Sequence, residues 1–182
     1  MSEEFSIPIA LAELSPQGIT MRRKADTHEK AALAARLAVD TVEKLEIDVS
    51  IVPDANGQSA RVDGTLDATV RQICSVSLAP LIAKHALAVA LQFTDSDIID
   101  AEDLEEIDPE ESDPPEPIVD GRFDVGDTLI QLLAVEIDPF PRKPGVSLED
   151  VPGGTRFSGE QNDSESNPFA VLSEFRDKLK DR

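Results

Sequence analysis

The segment that most constrains this chain is Arg61 to Pro80, RVDGTLDATVRQICSVSLAP, in which apolar and polar residues alternate before a short turn. Successive side chains of a β-strand point to opposite faces of the sheet. The alternation therefore predicts a strand with one face in water and one apolar face, formed by Val62, Gly64, Leu66, Ala68 and Val70. A sheet with one apolar face needs a second layer to cover it.

Ile19 to Lys24 predicts a short strand with a basic end, and the same two-residue period recurs in three other segments: Phe5 to Ile9, Leu45 to Ile51 and His85 to Phe93. Pro8 indicates that the first of these lies at a sheet edge, because proline cannot donate a ladder hydrogen bond. The last of them has an Ala-rich second face, which another layer can also cover. Several strands with turns between them predict a sheet that is mainly antiparallel.

Two segments have helical signatures. Asp26 and Glu29 fit a capping box before the Ala- and Leu-rich stretch 28–39, and Asp124 and Asp127 can cap a helix over 125–135. We therefore predict an α+β domain: an antiparallel sheet of four to six strands with one face packed by these two helices. Its predicted core is Leu33, Leu37, Leu45, Ile47, Val49, Leu66, Val70, Leu87, Val89, Leu91, Leu129 and Leu132.

Charge divides the chain unevenly. The net charge is -20, of which residues 1–94 hold -3 (nine basic, twelve acidic) and residues 95–182 hold -17 (eight basic, twenty-five acidic). Residues 95–117 contain six Asp, six Glu and four Pro and no basic residue, which predicts an acidic loop insert. We predict one domain over 1–142 that contains this insert, followed by a disordered linker over 143–166 rich in Gly, Ser and acids.

The last segment, 167–182, predicts a short amphipathic helix. Asn167 can cap it, and its apolar side is formed by Phe169, Leu172, Phe175 and Leu179. A helix of this length is marginal alone in water, so it needs a groove on its own domain or on a partner. These four residues are candidates for partner binding, and the sequence leaves open whether they dock in cis or in trans.

No residues form a recognisable catalytic, metal or cofactor site. Cys74 is the single cysteine, and with His28 and His85 as the two histidines a four-ligand zinc site would also need carboxylates. A dyad of Cys74 with His85 is conceivable, but packing explains each residue as well. We therefore expect a buried structural Cys74, no catalytic residue and no cofactor.

Five basic residues are candidates for RNA contact: Arg22, Arg23, Lys24, Arg61 and Arg71. Arg61 and Arg71 lie ten apart on one strand and hence on one face. The chain has neither Tyr nor Trp, so stacking on bases is poor and any contact should be weak and salt-sensitive. The alternative interpretation is that all five are ordinary solvated charges.

Three blocks, in this order, resemble the YceD-type family. They are Gly64 to Pro80, with its Cys-x-x-x-Leu-x-Pro turn; Asp120 to Pro141, with Asp124-Val125-Gly126; and Asn167 to Leu172. Ser77 stands where the family often has a second cysteine, and the later cysteine pair of some members is absent around Pro141 to Gly145. If metal matters in those members, it is not retained here.

The resemblance implies a part in the accumulation of large-subunit ribosomal RNA in bacteria, with no catalytic residue carried over. Two mechanisms stay open: direct RNA contact, or an acidic adaptor for basic ribosomal proteins or assembly factors. The charge favours the adaptor. The alternatives are a general protein–protein interaction module and a Cys74-dependent enzyme. The apolar runs are short and the N-terminus is acidic, so we expect no membrane span and a cytoplasmic location; the oligomeric state stays open.

Overall fold

The structure is a computed structural model that describes residues 5–95 and 114–147. In chain order the strands and helices are β1 Pro8–Ala10, β2 Ile19–Lys24, α1 Thr27–Arg36, β3 Thr41–Pro53, β4 Ser59–Ile73, β5 Pro80–Asp95, β6 Glu116–Ile118, β7 Arg122–Asp124 and α2 Val125–Glu136. A single 3-10 turn, Leu11–Glu13, follows β1. The three long segments of alternating sequence are therefore strands β3, β4 and β5, and both expected helices form. Of the strand expected over Phe5 to Ile9, only the end is strand, as part of β1.

Five strands make the main sheet, in the order β2-β3-β4-β5-β6. Neighbours from β2 to β5 are antiparallel, and β6 adds to the end of β5 in the parallel direction. The strands β1 and β7 form a separate antiparallel pair, in which Ile9 lies opposite Phe123. The α+β prediction of a mainly antiparallel sheet with two helices is confirmed.

One face of the main sheet carries the core. Its inward side chains, among them Ile47, Val62 and Leu66, are fully buried in a cluster that also contains Leu33 of α1 and Leu129 of α2. At about 25 cal/mol per Å² of apolar area, each such side chain contributes about 1.5–3 kcal/mol. Every residue of the predicted core lies in this cluster or packs against it.

The sequence-based core omits several large side chains. Phe93 and Phe123 stack at 4.4 Å between ring centroids, and Phe5 and Ile118 are also fully or almost fully buried. Phe123 and Ile118 lie in three-residue strands, which are too short to show a period of two. Their burial depends on contacts that are distant in sequence.

Helix α1 begins with the predicted capping box and ends earlier than predicted. The Asp26 side chain accepts the N–H groups of His28 and Glu29, and the Glu29 carboxylate accepts the Asp26 N–H. At the other end, Ala38 has a φ of 53°, and Val39 donates its N–H to the Ala34 carbonyl. This is a Schellman motif with alanine at the position that glycine usually occupies. The helix therefore stops at Arg36 and not at residue 39.

The Asp-Val-Gly triplet at 124–126 joins α2 to the N-terminal segment. Asp124 caps α2 by accepting the Asp127 N–H at 3.0 Å, and it also accepts the Ile7 N–H at 2.8 Å. A Cβ at Gly126 would lie 2.4 Å from the Phe5 carbonyl oxygen and 2.9 Å from the Ile7 nitrogen. Only glycine therefore lets the backbone of residues 5–7 approach the first turn of α2.

The acidic insert predicted over 95–117 falls mostly outside the described residues. Its ends are strands and not loop: Asp95 closes β5, and Glu116 and Pro117 belong to β6. The linker over 143–166 is described only to residue 147. The helix over 167–182 lies wholly outside the described residues, so it stays a prediction.

Candidate interaction surfaces

The second face of the main sheet, which we call the outer face, is where most of the basic candidates lie. It is formed by the side chains of β2 to β5 that point away from the core. Its basic residues are Arg22, Lys24, Lys44, Arg61, Arg71 and Lys84, and its acidic residues are Glu46, Asp48, Asp63 and Asp67. Asp40, which precedes β3, pairs with Arg71, so six positive and five negative charges make this surface locally positive by one, in a chain whose net charge is -20.

Four of the five predicted RNA-contact residues lie on the outer face, and each forms an ion pair. Arg22 pairs with Asp48, Lys24 with Glu46, Arg61 with Asp63 and Arg71 with Asp40. The hydrogen bond and charge of Asp48 raise the pKa of Arg22, and those of Lys24 and Lys44 lower the pKa of Glu46. Solvent screens such exposed pairs, so they add little to stability, but a phosphate that binds one of these cations still has to compete with its carboxylate.

Arg23 is separate from the other four. Its side chain lies on the core side of β2, where its guanidinium pairs with Glu29, donates to the Ser6 carbonyl at 2.6 Å and sits 4.7 Å from the centroid of the Phe5 ring. These contacts hold the N-terminal segment against β2 and α1. The structure thus brings Arg22, Lys24, Arg61 and Arg71 to one face and does not bring Arg23 there.

The sequence analysis did not select two cations of the outer face, Lys44 and Lys84. They lie in one row across β3, β4 and β5, because both are in register with Thr69. Lys44 pairs with Glu46, whereas Lys84 has no ion pair within residues 5–95 and 114–147. In β5 the period of two makes Leu87 and Val89 point toward the core and Lys84 point away from it. The alternation in the sequence therefore predicts that Lys84 lies on the outer face.

The outward side of β5 carries small residues. Ala86, Ala88 and Ala90 are exposed there, between Lys84 and Gln92. The expectation that another layer can cover this Ala-rich face is not met within the described residues, where all five side chains are exposed. Together they form a flat surface with a single charge.

Cys74 is fully buried where two loops meet. Its sulfur accepts the N–H of Ser77 at 3.5 Å and of Lys143 at 3.4 Å, and Ser75 donates its N–H to the Pro141 carbonyl at 2.8 Å. The Ser77 hydroxyl, which has no well-aligned hydrogen bond of its own, lies beside the sulfur. The nearby Ser77 hydroxyl, and then the two N–H groups, lower the pKa of the Cys74 thiol to about 6 against the opposing effect of burial.

Within residues 5–95 and 114–147, Cys74 lies without the further metal-binding side chains that a zinc site needs. Ser77 and the segment 141–143 occupy the positions at which the resemblance leads one to look for further cysteines. Among the described residues, no three His, Cys, Asp or Glu side chains are placed to hold a metal ion. The Nε2 atom of His85 is buried and has no hydrogen-bond partner among the described residues.

A groove of about 510 Å³ opens beside the Cys74 loops. Its walls are the C-terminal end of α1, the end of β4 and the segment after α2, with Leu37, Ile137 and Pro139 supplying apolar surface. Two carboxylates, Asp40 and Asp138, line it, and no lysine or arginine does. The groove therefore combines an apolar wall with negative charge.

The described residues contain no helix that is both long and apolar enough to cross a membrane. The four tail residues proposed for partner binding, Phe169, Leu172, Phe175 and Leu179, are outside the described part of the chain, so their placement is not settled.

Comparison with known proteins yields one match. The model of the family described as "Large ribosomal RNA subunit accumulation protein YceD" matches residues 62–176. No curated protein and no solved structure matches the chain. The match begins in β4, takes in the Cys74 loops, β5, β7 and α2, and covers more than half of the 182 residues. The chain therefore belongs to the family of large ribosomal RNA subunit accumulation proteins, YceD.

Proposed function

We propose that this protein is a non-enzymatic cytoplasmic factor that supports large-subunit ribosomal RNA accumulation by holding basic ribosomal proteins or assembly factors. The family supports the ribosomal theme. The choice of an acidic adaptor rests on the ion pairs of the outer face, where Arg22, Lys24, Arg61 and Arg71 each face a carboxylate. RNA phosphates would have to displace these carboxylates in a protein of net charge -20.

Charge favours a basic partner in two places. Residues 95–117 carry twelve carboxylates and no cation, so they attract a polycation at long range. The groove beside Cys74 offers Asp138, and Asp40 in its ion pair with Arg71, next to apolar walls. Many basic nucleic-acid-binding proteins combine cationic and apolar residues in one segment, and both properties find a match here.

A pull-down from growing bacterial cells tests the adaptor. The full chain should recover ribosomal proteins or precursor particles, and a variant with the carboxylates of 95–117 changed to amides should recover several-fold less. The control changes Glu13 and Glu136, two exposed carboxylates outside the acidic segment, to Gln and should recover as much as the unaltered chain. Equal recovery by the acidic-segment variant and the unaltered chain would contradict the adaptor.

Weak RNA contact is a second candidate, supported by the local excess of one positive charge on the outer face and by Lys84, which has no ion pair within residues 5–95 and 114–147. Each phosphate contact that releases a counterion steepens the salt dependence by about 0.7–0.9 in log K against log salt. Lys84→Gln should therefore weaken binding to a single-stranded RNA and lower this slope by about that amount. Unchanged binding would exclude Lys84 from the contact.

A Cys74-dependent reaction is the less favoured alternative. The sulfur has no exposed surface, and its two N–H partners come from the protein backbone. A substrate would reach it only after the loops 74–79 and 141–143 separate. Cys74→Ser that folds normally and restores ribosomal RNA in cells lacking the protein would argue against an enzyme, whereas complete loss of function with full stability would favour one.

A further inference from the structure

We propose that the outer edge of β5, from Ile82 to Gln92, is a docking site for an extended basic segment of a partner protein, which adds to the main sheet as a strand. This inference rests on the proposed adaptor function and specifies how the basic partner is held. The argument has three parts: an unpaired strand edge, side chains that leave this edge accessible, and carboxylates within reach of a neighbouring strand.

The edge is long and unpaired within the described residues. β5 has sixteen residues, and β4 pairs with all but the last along one side. On the other side, β6 covers Phe93, Thr94 and Asp95 only. No described strand covers the remaining thirteen residues, so their outward backbone groups offer the hydrogen bonds that a further strand would use.

The hydrogen-bond pattern shows which residues face this edge. The carbonyl of Ala79 accepts the Cys74 N–H, and Asp95 donates its N–H to the Gln58 carbonyl, so both groups point toward the β4 side. Because the register between β4 and β5 is regular throughout, residues alternate in direction. The N–H and C=O groups that point to the open edge belong to Ile82, Lys84, Ala86, Ala88, Ala90 and Gln92.

The edge lacks the devices that normally prevent pairing. Edge strands are usually short, bulged, charged or interrupted by proline. Between Ile82 and Gln92 there is no proline, Lys84 is the single full charge, and the register with β4 shows no bulge. Half of the residues that face the edge are alanines, whose methyl groups leave the neighbouring N–H groups open to an approaching chain.

Charge complementarity identifies the occupant. Asp67 lies in the same row as Ala86 and has no ion pair among the described residues. A strand added beside β5 would lie roughly 10 Å from β4, which a lysine or arginine spans across an alanine. A depression of about 280 Å³ at the Gln92 end is lined by Glu116, and by Asp63 together with its ion-pair partner Arg61. Asp67 and Glu116 thus offer a basic chain one carboxylate beside the middle of the edge and one at its end, neither with an ion pair among the described residues.

Amide hydrogen exchange tests the site on the full chain. In the absence of a partner, the amides of Ala86, Ala88 and Ala90 should exchange fast, whereas those of Leu87 and Val89, bonded to β4, should be protected. A ten-residue peptide of alternating Lys and Val is the probe, and its binding should slow exchange of the three alanine amides at least tenfold. Alanine amides already protected at low protein concentration would show that this chain covers its own edge and would overturn the proposal.

Two isomeric peptides separate strand pairing from charge. One carries N-methyl groups on its Lys amides and the other on its Val amides, so their charge and composition are identical. A strand on this edge uses one of the two sets for pairing, and hence one isomer should bind at least tenfold more weakly while the other binds like the parent. If both isomers bind as the parent does, charge alone is responsible; the docking site is then refuted while the adaptor function stands.

Protein variants provide the matching evidence. Asp67→Asn should weaken the parent peptide two- to fivefold, whereas Glu13→Gln, the same charge change at an exposed site in the 3-10 turn, should have less effect. Ala88→Pro removes an N–H that the sheet does not use and should weaken binding at least tenfold, with circular dichroism verifying the fold. A dimer in sedimentation experiments that Ala88→Pro abolishes would assign the edge to a second copy and overturn the proposal. Failure of every basic peptide to bind, together with failure of the pull-down, would refute the adaptor function itself.

Discussion

The carboxylate of Asp124 connects three parts of the protein, which makes Asp124→Ala the most informative stability variant. Its Oδ1 accepts the N–H groups of Asp127 at 3.0 Å and Ile7 at 2.8 Å, and its Oδ2 accepts the Ser6 hydroxyl. Alanine removes the N-cap of α2 and leaves the Ile7 N–H without its partner. Both losses occur at one joint between the first and last described strands.

The size of the effect follows from these contacts. Loss of an Asp N-cap costs about 1 kcal/mol. The part-buried Ile7 N–H adds about 1–3 kcal/mol if nothing replaces the carboxylate. The free energy of unfolding should therefore fall by about 2–4 kcal/mol. At about 3–4 °C per kcal/mol for a domain of this size, Tm should fall by roughly 6–16 °C.

Urea unfolding followed by circular dichroism measures this change. Asp124→Asn keeps an acceptor for both N–H groups and should lose less than half as much. Glu136→Ala is the control, because this exposed side chain lies in the last turn of α2 and its removal should change stability by less than about 0.5 kcal/mol. If Asp124→Ala is as stable as Glu136→Ala, the hydrogen bonds of Asp124 do not contribute the stability that we attribute to them.

Three further predictions follow from single sites. Ala38→Gly should raise the free energy of unfolding by about 0.5–1 kcal/mol, because alanine at a φ of 53° is strained, and a decrease in urea unfolding would contradict this. Arg23→Ala should lower the free energy of unfolding by about 1–2 kcal/mol, because it removes part-buried contacts. Arg61→Ala removes an exposed ion pair and should change it by less than about 0.5 kcal/mol. Equal losses for the two variants would show that Arg23 is no more important to stability than an exposed arginine. Because the pKa of the folded Cys74 thiol is lowered to about 6, below the value of an unfolded cysteine, the unfolded chain binds more protons between about pH 6 and 9. The wild type should therefore gain stability relative to Cys74→Ser as pH rises through that window, and lose it as pH falls through 6. If the free energies of unfolding of the two proteins change in parallel with pH, the thiol does not ionise in the folded protein.

The sequence predicts those parts of the fold whose signals are local. The alternation in β3, β4 and β5 gives the strands and their inward faces, and Asp26 with Glu29 gives the start of α1. A period of two is readable because each of these strands is long. The capping box is readable because its partners are three residues apart.

The sequence does not predict what depends on distant pairing. The pairing of β1 with β7 has no local signature, because each strand has three residues. The ion pair of Arg71 with Asp40 forms only when the end of β4 reaches the start of β3, and so the neutralisation of the basic candidates was not visible beforehand. Gly126 was recognised only as part of a family triplet, since its role is to admit a backbone from the other end of the chain.

The pairing of β1 with β7 also sets the order in which the protein can mature on the ribosome. Pro8 cannot pair until Asp124 has been synthesised. At about 5–20 residues per second, the ribosome needs roughly 6–23 s to make the residues between them. During that time Phe5, Ile7 and Ile9 have emerged without the strand that later encloses them. These early apolar residues are thus among the last to leave water, and a nascent chain that stalls before residue 124 exposes them to any chaperone or protease nearby.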